Sequence, residues 1–249
     1  MTVEYRVGDA VTELDSILDA ALIHLDDAWS RPGRQGAFGV TYPTHDLEVT
    51  FEVVDACWNA LVDGGWLILD ADDWLAPRVE SYIREEYGDV TSWGDYQGGG
   101  YRRRGAVTYV DVSGDPDRST AGQYLSNGGY PVIFAHKADT NRSCTASARQ
   151  IARQPRRVEA GYPYGRGSIK PVGPYRQWLG GLVDAGEHVV VPCAGTAPAA
   201  IAAEGLWGTD AWVTCIDCEH EARKAYHRRR DALLTSKQST LGALGGEST

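Results

Sequence analysis

The stretch EHVVVPCAGTAPAAIAAEGLWGTDAWVTCIDCE, residues 187–219, decides the fold. It opens with a short apolar run, Glu187 to Val191, which is typical of a buried strand. A tight turn of small residues follows at Pro192 to Thr196, and Ala197 to Glu204 has the small side chains of a helix that packs closely on a sheet. This order predicts a strand, a turn and a helix of an α/β sheet.

A second apolar run, Trp212 to Ile216, follows this helix and ends in two carboxylates, Asp217 and Glu219. A carboxylate at the end of the second strand of such a unit is placed to accept hydrogen bonds from ribose hydroxyls. The turn contains the single glycine Gly195 instead of the three glycines of G-x-G-x-x-G, which argues against a dinucleotide. The unit therefore predicts a nucleotide-handling site, although glycine turns after strands are also common in α/β proteins in general.

The rest of the chain continues the alternation of strands and helices, which predicts a largely parallel sheet flanked by helices. Apolar runs indicate the strands, and apolar residues at helical spacing indicate the helices. The predicted strands are Ala20 to Leu25, Trp66 to Leu69, Ala106 to Val112 and Tyr130 to His136. The predicted helices are Val11 to Leu18, Asp46 to Leu61, which stops at Asp63-Gly64-Gly65, and Ala76 to Tyr87.

Composition limits the class of protein. A chain of 249 residues with 43% hydrophobic content can bury one substantial core. We expect neither a secretory signal nor a membrane span, since the start is acidic and no apolar run approaches about 20 residues. Five cysteines, an odd number, make no disulfide framework, so we expect a reducing, cytoplasmic location. Cys215 and Cys218 form a C-x-x-C pair, but a zinc site needs two further ligands at short spacing, and we predict no metal.

The charge balance is unusual for a protein that binds nucleic acid. The formal net charge is −10, whereas DNA affinity rests on positive surface that releases counterions. The 24 basic residues comprise 20 arginines and only 4 lysines, and the arginines cluster. An acidic surface with few lysines is also typical of proteins from salt-loving organisms, so we expect a halophilic protein.

Several motifs, taken in chain order, resemble the amino-methyltransferases that act on adenine or cytosine in DNA. The start resembles the subgroup in which the catalytic half comes first. The similarity extends from about Val7 to Tyr226. Its motifs are Gly8-Asp9-Ala10, Lys170-Pro171, Tyr175 to Leu179, Gly186-Glu187, Val191 to Thr196 and Cys215 to Glu219.

This resemblance implies a Rossmann-like class I methyltransferase fold, S-adenosylmethionine as cofactor, double-stranded DNA as partner and, as is common in the subgroup, a homodimer. It divides a single domain, 1–232, into a catalytic half (1–137), an excursion for target recognition (138–168) and a cofactor half (169–232). Residues 233–249 are small and polar and predict a disordered tail.

The family's catalytic tetrapeptide, [DNS]-P-P-[YFW], corresponds in position to Asp26-Asp27-Ala28-Trp29. Asp27 and Ala28 replace both prolines, which removes the rigid turn of the family. The resemblance implies that the Asp26 carboxylate and the Asp27 carbonyl accept the two N–H groups of the target amine, while Trp29 stacks on a flipped base. Asp26 as an ordinary strand-end carboxylate and Trp29 as a core aromatic remain open.

On the cofactor side, the resemblance implies that Asp217, with Glu219 near it, holds the ribose hydroxyls. It also implies that Asp9 faces the adenine amino group and that Lys170 and Pro171 lie near the carboxylate end of the cofactor. Asp9 also suits a helix cap. Ala194, Gly195 and Thr196 would let the backbone approach the methionine part.

A competing placement of the catalytic loop is Thr41 to His45, which also follows an apolar stretch. Asp26 ends the better strand, so we prefer it and assign Tyr42 and His45 to the substrate pocket. The excursion supplies Arg149, Arg153, Arg156 and Arg157 for phosphate contacts, or it is a charged solvated loop.

Two other functions stay open from the sequence. The replaced residues fit a degenerate binding protein that retains the cofactor fold without catalysis. The chemistry of the tetrapeptide also suits an amine of RNA or a protein amide.

Overall fold

The computed structural model describes residues 2–26, 47–89, 98–117, 128–138 and 144–244. They form an eight-stranded sheet with the order β1-β8-β7-β2-β3-β5-β4-β6. The strands are β1 (Thr2–Val7), β2 (Ala20–Leu25), β3 (Leu61–Asp70), β4 (Gly100–Tyr109), β5 (Gly129–His136), β6 (Arg149–Ala152), β7 (His188–Val191) and β8 (Trp212–Asp217). The helices are α1 (Ala10–Leu14), α2 (Leu47–Ala60), α3 (Ala76–Tyr87), α4 (Pro155–Val158), α5 (Val172–Leu182), α6 (Pro198–Trp207) and α7 (His220–Leu244).

Five neighbouring strands, β1, β8, β7, β2 and β3, run parallel. Strand β5 runs antiparallel to β3 and β4, and β6 runs parallel to β4. The start of β5 therefore lies at the same edge as the end of β3, where Asp70 pairs with Val132. This edge collects the loops after β1, β2, β3, β7 and β8, and ligands of open α/β sheets bind at such an edge.

Two apolar clusters pack on the opposite faces of the sheet. Successive residues of a strand point to opposite faces, and on β2 Leu22 belongs to one cluster and Ile23 to the other. The first cluster includes residues of α5 and α6, and the second includes residues of α2 and α3. The class predicted from the sequence, an α/β sheet covered by helices, is confirmed.

The boundaries predicted from periodicity hold well for β2 and α3, which span Ala20–Leu25 and Ala76–Tyr87. The helix predicted over Asp46 to Leu61 is observed as α2, Leu47–Ala60, but β3 begins at Leu61, before the predicted start at Trp66, and runs through Asp63-Gly64-Gly65. A Cβ at Gly65 would meet the Val62 carbonyl oxygen at 2.9 Å and the Ala20 carbonyl oxygen of the neighbouring strand at 3.1 Å, so glycine allows the close backbone approach at this position.

Three further features differ from the sequence reading. Strand β1 was not predicted, although Val3, Tyr5 and Val7 alternate with polar residues as an edge strand does. The segment interpreted as a surface excursion contributes β6 to the sheet. Helix α7 continues to Leu244, within the stretch that composition assigned to a disordered tail. None of the helices that the structure describes combines the length and apolar character needed to cross a bilayer.

Candidate active site

The two predicted halves of the site meet because their strands are neighbours. Asp26 directly follows β2, and the turn Pro192 to Thr196 directly follows β7. Strands β2 and β7 pair in parallel, with Ile23 opposite Val190, so their carboxyl ends lie side by side at one edge. Asp217 ends β8, the next strand beyond β7. The fold thus brings the candidate catalytic carboxylate beside the candidate cofactor turn.

The turn after β7 is held in a tight, partly left-handed conformation. Cys193, Gly195 and Ala197 have φ values of 52°, 52° and 43°. The Ala194 amide donates to the Ile216 carbonyl at 2.9 Å, which ties the turn to β8. A Cβ added to Gly195 would meet no atom of the described protein within 4 Å, so this side of the turn faces open space.

Asp217 fixes the same turn through one carboxylate oxygen and the segment after β8 through the other. Oδ2 accepts from the Gly195 amide at 2.8 Å, and Oδ1 accepts from the Glu219 amide at 2.9 Å. Burial raises the pKa of Asp217, while the amides of Glu219 and Gly195 and the nearby Arg166 guanidinium oppose this rise. Arg166 itself pairs with Glu219 at 2.6 Å. The carboxylate is therefore oriented before any ligand arrives.

Asp9 lies at the same edge, at the start of α1. Its Oδ1 caps the helix by accepting from the Thr12 amide at 3.0 Å, as its residue type favours. The preceding residue, Gly8, donates its amide to the Asp217 carbonyl at 3.0 Å. The capping role predicted as an alternative is present, and the exposed carboxylate stays close to the end of β8. A contact between Asp9 and an adenine remains a prediction.

On the other side of the turn, Lys170 joins two carboxylates. Its ammonium forms an ion pair with Asp26 and lies 3.2 Å from Asp70 Oδ2. The Lys170 and Asp70 side chains are buried, whereas Asp26 is 26% exposed. The ammonium also lies over the Tyr130 ring, 5.0 Å from its centroid. The lysine predicted for the cofactor side therefore holds the candidate catalytic carboxylate.

Asp70 ends β3 and is the centre of a buried polar network. Its Oδ2 accepts from Tyr175 OH and from His24 Nε2, the latter at 2.9 Å. A carboxylate only accepts, so His24 carries its hydrogen on Nε2. Tyr175 gives its single hydrogen to Asp70, so Tyr130 OH donates to Tyr175 OH across their 2.9 Å separation.

Two buried atoms of this network have no hydrogen-bond partner in the part of the chain that the structure describes. Within the described residues, neither Asp70 Oδ1 nor His24 Nδ1 has a hydrogen-bond partner. Buried polar atoms normally are paired, and exceptions concentrate where a site does chemistry or holds water. The network therefore combines full burial, an ion pair and spare bonding capacity next to Asp26.

The two carboxylates differ in electrostatics. Burial raises the pKa of Asp26, and the negative charge of Asp70 adds to the rise, while Lys170 opposes it. Burial also acts to raise the pKa of Asp70, but Lys170, His24 and Tyr175 together bring it below its usual value. Asp70 is thus the more firmly ionised member of the pair, and Asp26 is the one with the greater affinity for a proton.

The predicted arginines are exposed. They lie on β6, on α4 or between these two elements, and not in a long loop. Arg149 begins β6, opposite Ala106 of β4. Arg157 lies 3.9 Å from Asp117. Arg156 lines a cavity of about 200 Å³ together with Tyr109 and Tyr162. The remaining predicted arginine, Arg153, lies between β6 and α4.

Several predicted residues have no structural outcome. Asp27, Ala28 and Trp29 of the candidate tetrapeptide lie outside the described residues, as do Tyr42 and His45. Their predicted roles stay predictions. Pro171, the partner of Lys170 in the family's Lys-Pro motif, precedes α5 as its N-cap residue.

Sequence reasoning missed Asp70, His24, Tyr175 and Arg229. Asp70 directly follows the predicted strand Trp66 to Leu69, so the rule that polar residues at strand ends face ligands would have found it. Thr196 Oγ1 accepts from Arg229 at 3.0 Å. His24 and Arg229 gave no such signal, because each lies inside an apolar or helical pattern, whereas Tyr175 belonged to the family motif Tyr175 to Leu179 without a predicted role.

No family model matches the sequence, and no curated protein matches it either. Solved structures do match. The complex of M1.HpyAVI with SAM has a TM-score of 0.64 at 11% identity, over 92% of this chain and 98% of that chain. PvuII DNA methyltransferase, which is cytosine-N4-specific, has a TM-score of 0.63 at 10% identity, over 93% and 94%. TTHA0409 from Thermus thermophilus, complexed with S-adenosyl-L-methionine, has a TM-score of 0.59 at 16% identity, over 93% and 95%. The chain therefore has the class I methyltransferase fold.

Proposed function

We propose that this protein is an S-adenosylmethionine-dependent methyltransferase that modifies an exocyclic amino group of adenine or cytosine in double-stranded DNA. The observation that carries the proposal is the juxtaposition of Asp26, at the end of β2, with the turn after β7. The M1.HpyAVI and TTHA0409 structures hold this cofactor, and PvuII methyltransferase acts on cytosine N4 in DNA. These likenesses support the same substrate class.

The turn after β7 fits the cofactor. Gly195 has open space on its Cα side, and Asp217 presents a buried, pre-oriented carboxylate beside it. We assign the ribose hydroxyls to Asp217, with Glu219 and Asp9 toward the nucleoside and Ala194 to Thr196 toward the methionine part. When bound, S-adenosylmethionine supplies an electrophilic methyl group on a sulfonium sulfur.

Asp26 then acts on the amine. Lys170 binds Asp26 Oδ1, so we assign Oδ2 to an N–H of the target. An exocyclic amine is conjugated with its ring, and a carboxylate that accepts its hydrogen favours the positive charge that grows on nitrogen as the N–CH₃ bond forms. The cofactor would supply the methyl group and keep the sulfur electron pair, and the proton that the methylated amine loses would pass to Asp26.

The lysine keeps Asp26 ready for this role. Burial raises the pKa of Asp26 and so favours its protonated form, and the Lys170 ammonium opposes that effect. Asp70 and Tyr130 in turn hold the ammonium in place. We assign the base itself to the surface beyond Asp26, where the exposed arginines of β6 and α4 would contact phosphates.

Transfer of a labelled methyl group from S-adenosylmethionine to duplex DNA tests the proposal. We expect Asp26→Asn to lower kcat by at least about 100-fold, the scale of losing one charge-stabilising group, with cofactor affinity unchanged. The matched control is Asp184→Asn, an exposed carboxylate before β7 at the opposite edge of the sheet, which should leave kcat unchanged. Equal activity of Asp26→Asn and wild type would contradict the proposed mechanism. Methyl transfer only to RNA or to protein would contradict the proposal that DNA is the substrate.

A second candidate function is a cofactor-binding protein without catalysis. It is favoured by the ion pair between Asp26 and Lys170, which engages the carboxylate, and by the replacement of both family prolines by Asp27 and Ala28. Calorimetry separates the two. Wild-type protein that binds S-adenosylmethionine but transfers no methyl to any polymer would establish the second function.

A further inference from the structure

Arg229, on α7, carries a fully buried guanidinium that binds three separate stretches of the chain. Nε and Nη2 donate to the two carboxylate oxygens of Glu159, at 2.9 and 2.6 Å. Nη1 donates to Thr196 Oγ1 at 3.0 Å, and Nη2 also donates to the Lys170 backbone carbonyl at 2.6 Å. One side chain therefore bridges the turn after β7 and the backbone of the lysine that holds Asp26.

The pair with Glu159 accounts for the charge of Arg229 but not for its remaining contacts. A buried ion pair stabilises a fold only when its spare donors are also satisfied. Here two of the spare N–H groups donate to two groups of the candidate site, the Thr196 hydroxyl and the Lys170 carbonyl. The planar fork of arginine makes this possible, since it presents five donors in fixed directions, whereas lysine presents a single charged centre.

We propose that Arg229 is a positioning residue for methyl transfer. By holding Thr196 and the Lys170 carbonyl on one rigid group, it fixes the distance between the cofactor turn and the Asp26 carboxylate. This inference rests on the proposed function. Displacements of about 1 Å between reacting groups reduce rates by roughly 100-fold, so a group that sets this separation controls kcat without touching the substrate.

Three neighbouring arginines make contacts that do not reach the turn after β7. Arg228 donates to the Tyr164 carbonyl at 2.8 Å, and Arg166 pairs with Glu219 at 2.6 Å. Arg230, the next residue of α7, pairs with Glu204 on α6 at 2.6 Å. Arg230 is the matched control, because it is the same residue type on the same helix, also bound to a buried glutamate.

The first test compares Arg229→Lys with Arg230→Lys in steady-state methyl transfer. We expect Arg229→Lys to lower kcat at least about tenfold, with a KM for DNA within about threefold of wild type, because the base does not contact Arg229. Arg230→Lys should retain the wild-type kcat. Thr196→Val keeps the side-chain shape and Arg229 itself but removes the bond to the turn, so it should lower kcat in the same direction if Arg229→Lys does not fold.

The second test needs no ligand and separates this inference from the proposed function. Hydrogen exchange of the free protein should be faster in the peptides 193–197 and 166–173 in Arg229→Lys. It should be faster only in 193–197 in Thr196→Val, which keeps the bond to the Lys170 carbonyl, and unchanged in Arg230→Lys. Wild-type protein that transfers no methyl group would contradict the proposed function but not the positioning role of Arg229. Unchanged hydrogen exchange in these peptides, or equal effects of the Arg229 and Arg230 variants on exchange, would contradict the positioning role.

Discussion

Removal of the Lys170 ammonium should destabilise the protein in a way that depends on pH. In Lys170→Met the side chain keeps much of its apolar length, but Asp26 and Asp70 lose the cation they share. Breaking a buried ion pair by removing one partner leaves an uncompensated charge, which typically costs about 3–5 kcal/mol. Here two carboxylates are left facing each other.

The distance between Lys170 and Asp70 gives an attraction of similar size. Lys170 Nζ and Asp70 Oδ2 are 3.2 Å apart, and Coulomb's law with an effective dielectric constant of about 20 gives an attraction of about 5 kcal/mol. Desolvation of both groups offsets part of this attraction in wild type. We therefore expect Lys170→Met to lower the free energy of unfolding by about 3–5 kcal/mol at pH 8.

The sign of the pH dependence follows from the lost cation. Lys170 lowers the pKa of both carboxylates, so its removal raises both folded-state pKa values relative to wild type. A raised folded-state pKa leaves the protonated folded state unaffected and costs stability as the pH rises and the carboxylates ionise. The deficit of Lys170→Met relative to wild type should therefore be largest at pH 8 and smaller at pH 5.

Urea unfolding at pH 5 and pH 8, followed by tryptophan fluorescence, measures this difference. Lys224→Met, which removes an exposed ion pair with Glu221 on α7, is the control and should show no measurable change at either pH. The double variant Lys170→Met with Asp70→Asn should recover part of the loss, because it removes the orphaned charge. A deficit that is the same at both pH values, or below about 1 kcal/mol at pH 8, would refute the reasoning.

Two further predictions concern the acid limb of catalysis and the glycine at the start of β5. Asp70→Asn removes a negative charge that raises the pKa of Asp26. In the proposed mechanism the ionised Asp26 is the active form, so the acid limb of kcat/KM should move to lower pH. A pH–rate profile with an unmoved or higher limb would contradict the coupling. Gly129→Ala should cost more than about 2 kcal/mol in urea unfolding, because its φ is +149° and a Cβ would lie 1.8 Å from the Val107 carbonyl oxygen. Gly173→Ala, where a Cβ meets open space in α5, is the control and should change stability by less than about 1 kcal/mol.

Local patterns in the sequence determined the class of fold and one half of the site. The apolar runs at 20–25 and 188–191, and the helical spacing at 76–87, depend only on which neighbours along the chain share a face, so they predict elements directly. The turn around Gly195 and the carboxylate of Asp217 followed for the same reason, since both are fixed by position within one contiguous unit of strand, turn, helix and strand.

Only the tertiary structure decided which groups surround Asp26. Lys170 is separated from Asp26 by 144 positions, Tyr175 from Asp70 by 105, and Arg229 from Thr196 by 33. No periodicity links residues at such separations, because they meet only when β7 inserts between β8 and β2 and α5 packs over the sheet. The edge position of β6 was hidden for the same reason, since a short strand with an exposed, polar pattern gains its identity from pairing with β4.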